Sequence, residues 1–137
     1  MADLSITTAS VQPASGATLV TGTAGAAVSA GQPIYRDSSD GNKLKPADAN
    51  SSEATAAAVG IAVNNAADEQ PVTYITRGTL VTDATTVQGT VYVASANPGG
   101  IAPASDLASG HYTTLLAVAS DTTGTLAVHM HRSGIQW

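Results

Sequence analysis

The chain has no cysteine and no phenylalanine, and only 4% of its 137 residues are aromatic. Lack of cysteine excludes a disulfide framework and thiol chemistry. Lack of large aromatic side chains leaves the core to aliphatics and alanine. A large apolar side chain contributes about 1.5–3 kcal/mol when fully buried, and alanine contributes far less. The hydrophobic fraction is 43%, yet much of it is alanine. The isolated subunit is therefore expected to be marginal for its size unless a partner covers more of its apolar surface.

Charge is also scarce. Asp, Glu, Lys and Arg make up 11% of the residues, with a formal net charge of -5. Lys43 and Lys45 stand among Asp37, Asp40 and Asp48, so no basic cluster is available for a phosphate backbone. Nucleic acid and anionic membrane are excluded as expected partners. No apolar run approaches the ~18 residues of a membrane span. Met1 to Leu4 has neither a basic stretch nor an apolar core, so no signal peptide is read there. The expectation is a protein made in the cytoplasm and kept there or assembled into something from there.

What remains is Thr, Ser, Ala and Gly, with β-branched residues in alternating runs. Ile34 to Arg36, Leu44, Val59 to Val63, Val72 to Thr76, Thr79 to Val81, Thr90 to Val93, Tyr112 to Val118 and Thr125 to His131 read as short strands. Asp40-Gly41 and Asn97-Pro98-Gly99-Gly100 read as turns. Residues 101–110 read as a loop. Gly78 marks a bulge or bend. Ser51 to Ala58 carries the one helical signal, with Ser51 or Ser52 as cap. About eight strands at ~8–12-residue spacing predict an all-β fold, a small antiparallel β-barrel or sandwich with one short helical turn. Residues 1–26, interrupted by Pro13 and Gly16, read as an extended N-terminal arm, and residues 27–137 as the β domain.

The order of several motifs is informative. Ala30-Gly31-Gln32-Pro33-Ile34-Tyr35 precedes Leu44 and Ala47-Asp48-Ala49. Val59-Gly60-Ile61-Ala62, Gln70-Pro71-Val72 and Arg77-Gly78 come next. Gly89-Thr90-Val91-Tyr92-Val93, Gly99-Gly100-Ile101 and Leu115-Leu116-Ala117-Val118-Ala119 close the series. Over about residues 28–131 this resembles the capsid decoration, or cement, proteins of tailed bacteriophages. The resemblance implies a compact β domain that forms a homotrimer on the outside of the expanded head. It implies a partner in the major capsid protein, whose neighbouring subunits are clamped against internal DNA pressure. It also implies a virion location, no enzymatic activity and no cofactor. The alternative is another surface β module, such as a fibre base or a receptor- or glycan-binding domain.

An arm that adds to another chain's sheet gains affinity from main-chain hydrogen bonds and specificity from alternate side chains. Leu4, Ile6, Thr8 and Val11 are the candidate capsid-binding residues of such an arm. A strand of the protein's own barrel and a frayed terminus are the other readings of the same segment. His129, His131 and the final Trp137 are the candidate subunit-interface residues. Two histidines two apart in a strand share a face, which also admits a metal site with His111 as third ligand. Asp37, Asp40, Gly41 and Asn42 faintly resemble a calcium loop but lack its closing Glu. Asp106, Ser109 and His111 can be drawn as a triad but lack a nucleophile elbow. Tyr74 and Tyr92 read as core or interface packing rather than a sugar platform.

Overall fold

A computed structural model describes residues 3–120 and 122–136. The architecture is one curled antiparallel sheet forming a half-barrel, with one short helix. Among the described residues the strands are β1 (Gln12–Pro13), β2 (Thr18–Thr23), β3 (Pro33–Asp37), β4 (Lys43–Pro46), β5 (Ala58–Ala62), β6 (Pro71–Val81), β7 (Val91–Ala94), β8 (Ile101–Pro103), β9 (Tyr112–Ala119) and β10 (Thr125–Gln136). Their order is β4-β3-β5-β6-β10-β9-β7-β8, with β1 and β2 also pairing to β6.

Strand β6 organises the sheet. One of its edges takes β10 along 77–81 and β5 at 74–75, and the other takes β1 and β2. The sequence divides this run at Gly78, whereas the backbone continues through it. Gly78 has φ +119, and a Cβ there would lie 2.8 Å from the Ala17 Cα, so the close crossing of the chain requires glycine. The pairing with β2 shifts register beside this point, between Thr18 and Leu19.

The turns follow the sequence chemistry. Gly41 and Asn42 both take positive φ between β3 and β4. Ser52 caps the single helix α1 (Glu53–Ala56) by accepting from the Thr55 N–H, and the Thr55 hydroxyl accepts from the Ser52 N–H, a reciprocal cap that lets one helical turn persist. Residues 101–110 are not all loop. Ile101 to Pro103 forms β8, entirely buried and paired only to β7, too short for an alternation to appear in sequence.

Two apolar clusters pack against the sheet, on opposite faces where β5 meets β6, since the neighbours Ile75 and Tyr74, like Ile61 and Ala62, fall in different clusters. Ile61, Ile75, Leu80, Leu116 and Leu126 anchor the larger; Ile34, Leu44, Val72 and Tyr74 anchor the smaller. Alanines such as Ala47, Ala49 and Ala62 are wholly buried and bring backbones close in place of bulk. Tyr74 is buried with its hydroxyl accepting from the Arg36 guanidinium at 3.0 Å, and Tyr92 is buried as well, so both serve as core.

The N-terminal segment lies on the body rather than projecting from it. The Leu4 N–H donates to the Ile101 carbonyl at 2.7 Å and so covers the β8 edge. Leu4 and Ile6 are half-buried against the larger cluster and Val11 is buried. Nor does packing break near residue 26. Ala24 is fully buried, bonds reciprocally with the Gln70 to Glu69 turn, and bridges to Leu44.

Candidate functional site: two association surfaces

On the convex side, outward-facing residues of β7, β9 and β10 lie side by side across the sheet. Along β10, Leu126 and Val128 are buried while Ala127, His129 and His131 are exposed. Ala127 stands opposite Val118, and Val118 opposite Val91, so these three form one stripe across three strands. Val118 is 42% exposed. With Leu115, His129 and His131 they line an open groove of about 270 Å³. The pairing of β10 with β9 shifts register between Val128 and His131, beside this groove.

Charge on this face has one sign. Arg77 is directly opposite His129 and is exposed, with no carboxylate partner among the described residues. No Asp or Glu lines the groove. The other described Lys and Arg residues are held elsewhere. Lys45 bridges Asp37 at 2.8 Å and Asp40 at 3.1 Å, Lys43 pairs with Glu69, Arg132 meets Glu53 at 3.0 Å, and Arg36 bonds Tyr74.

The second surface is the loop from Thr82 to Thr90. Its residues alternate as strictly as a strand: Thr82, Ala84 and Thr86 are buried, while Asp83, Thr85 and Val87 are exposed. The buried set is fixed by the Gly124 turn. The Thr82 hydroxyl donates to the Gly124 carbonyl at 3.0 Å, and the Gly124 N–H donates to the Thr86 hydroxyl at 2.9 Å. Among the described residues Val87, at 68%, is the most exposed large hydrophobic. Asp83 accepts the Thr7 N–H at 2.8 Å, and its carboxyl is held below the ordinary value by the Thr7 hydrogen bonds. Asp3, Leu4, Asp83, Val87 and Tyr92 border a cleft of about 540 Å³ between this loop and the N-terminal segment.

The candidate arm residues are brought together, but on the protein's own surface. Ile6 rests on Gly31, where a Cβ would lie 2.8 Å from the Ile6 Cγ2 and where φ is +92. Asp3 tethers the start of the segment, accepting from the Ser95 hydroxyl at 2.7 Å and the Asn97 amide at 3.1 Å. Thr8 faces solvent. His129 and His131 share the groove, as a common strand face requires, while Trp137 lies outside the described residues.

His111 does not join the pair. It lines a separate pocket with Asp3 and Asp106, and its Nδ1 accepts from the Ala108 N–H at 3.2 Å. Among the described residues no three His, Cys, Asp or Glu side chains converge as metal ligands. The carboxylates of the Asp37 to Asn42 turn are ion-paired with Lys43 and Lys45.

Sequence reasoning missed Arg77, Asp83, Val87 and the Val91–Val118–Ala127 stripe. The loop signal was present as small residues alternating with Asp83, Thr85 and Val87, but it becomes readable only once Gly124 is known to take the hydroxyls. No protein-family model matches the chain, and no curated protein matches it significantly.

Proposed function

We propose that this chain is a structural, non-enzymatic subunit: a capsid decoration protein that trimerises on the outer surface of an expanded tailed-phage head and clamps neighbouring major capsid subunits. The observation that carries this reading is the convex groove of Val91, Leu115, Val118 and Ala127, an apolar sheet face left open in a single chain. Covering it with another subunit removes apolar area from water at about 25 cal/mol per Å². That gain is a larger share of the total stability for a subunit whose own core is rich in alanine.

The N-terminal segment is the proposed capsid contact. Only a few polar contacts and two half-buried side chains hold residues 3–8, so the segment is suited to lift and add to a neighbouring sheet edge. Leu4 and Ile6 would then exchange their present seat for one on the capsid subunit, with Thr8 and Val11 following. His129, His131 and Trp137 belong to the proposed trimer contact. The reading requires no cofactor.

Sedimentation with expanded heads that lack this protein tests the proposal. The protein is expected to pellet with the heads at a saturating, stoichiometric ratio. Protein left in the supernatant under conditions where it is folded would overturn the reading.

A further inference from the structure

The convex groove and the Asp83–Val87 loop are complementary to each other, and their complementarity defines how copies would join. Two copies packed groove against groove would bring no carboxylate to Arg77, because no Asp or Glu lines the groove. The 83–87 loop has the opposite character. It presents a carboxylate, a hydroxyl and an exposed valine in one row, on a backbone already fixed by buried hydroxyls. Little ordering cost remains for such a loop to bind.

With Val87 seated on the Val118–Ala127 stripe, the Asp83 carboxylate of the same row is the group that would meet Arg77, which stands opposite His129.

We propose that copies of this chain associate head to tail, the Asp83–Thr85–Val87 loop of one copy seated in the Val91–Val118–Ala127 groove of the next, with Asp83 facing Arg77, His129 and His131. The occupant is a second copy of this chain. Because the two halves of the contact are different surfaces, the contact is heterologous, and such contacts close into rings or propagate. This rests on the trimeric reading above and assigns its interface. A groove-to-groove dimer and a foreign acidic segment are the competing occupants.

The absence of cysteine gives a direct test. Val87→Cys and Val118→Cys chains are prepared separately, co-refolded in equal amounts and mildly oxidised. Disulfide dimers are expected in the mixture and not in either variant alone, and the double variant is expected to yield a ladder ending at a covalent trimer. Light scattering on size exclusion is run beside it. The wild-type chain is expected to be trimeric. Val118→Lys is expected to be monomeric with an unchanged circular dichroism spectrum. Val20→Lys, an equal change at a similarly exposed aliphatic on β2, is expected to stay trimeric. A monomeric wild type, or cross-linking of Val118→Cys alone as efficient as in the mixture, overturns the proposal. Cross-linking of Val118→Cys alone removes this contact and leaves the trimeric capsid reading standing, whereas a monomeric wild type removes both.

Discussion

The carboxylate of Asp83 accepts the backbone N–H of Thr7 at 2.8 Å, joining the N-terminal segment to a loop 76 residues later in the chain. This bond makes the docking of residues 3–8 depend on the Asp83 carboxylate, beside the Asp3 hydrogen bonds to Ser95 and Asn97. The Asp83 carboxyl is held below its ordinary value of 3.8, so its contribution is fully present above that value and is lost as pH falls through the lowered one. On acidification the amides of residues 4–8 are expected to lose hydrogen-exchange protection before those of β9 and β10. The Asp83→Ala variant should show the same loss near neutral pH. Equal protection in variant and wild type would contradict the tether.

Asp37 provides a second titration. The Lys45 ammonium, then the Ser39 hydroxyl and N–H, hydrogen-bond its carboxylate and lower its pKa from 3.8 to about 2. A depressed carboxylate stabilises the fold above its ordinary pKa and ceases to do so through the lowered one, here from about 3.8 down to about 2. Carbon-detected titration of the Asp37 carboxyl should give a midpoint near 2. Lys45→Met should move it upward toward the ordinary value.

Large side chains are few, so each should count. Leu126 is fully buried in the larger cluster, and Leu126→Ala is expected to cost about 2–5 kcal/mol in denaturant unfolding. Leu19 is 45% exposed on β2, and Leu19→Ala should change stability by no more than ~0.5 kcal/mol.

Gly60 tests the close packing that small residues allow. A Cβ at that position would lie 2.7 Å from the Ile75 carbonyl oxygen and run into the Tyr74 ring, both buried. Gly60→Ala is expected to destabilise by about 1–3 kcal/mol, because backbone cannot yield as a flexible side chain can. Replacing Gly89, with open space around it but φ +81, isolates the conformational cost alone.

The parts of this fold that were legible in sequence are those set by local chemistry. Asp40-Gly41 fixes a turn because glycine tolerates positive φ, Ser52 caps α1, and the Val59 to Val63 run falls largely on β5, although that strand is buried nearly throughout rather than on one face. The parts that were not legible depend on partners distant in sequence. β8 has three residues and exists through β7 and the Leu4 N–H. The N-terminal segment reads first as an arm, with an own strand and a frayed terminus as the other readings, because its seat is built from Gly31, Ser95, Asn97 and Asp83, all distant in sequence. His129 and His131 stand out as residue types, whereas Val118 becomes informative only when the register sets it beside Ala127 and Val91.

The central claim is a shell-bound structural trimer, and its position on an intact particle tests that most directly. Cryo-electron microscopy of expanded heads, before and after addition of the purified chain, is expected to show added three-lobed density on the outer surface at three-fold or quasi-three-fold positions. Its residues 3–11 are expected to lie against a capsid subunit. Saturating protein with no added density, or density lying inside the shell, would contradict the account.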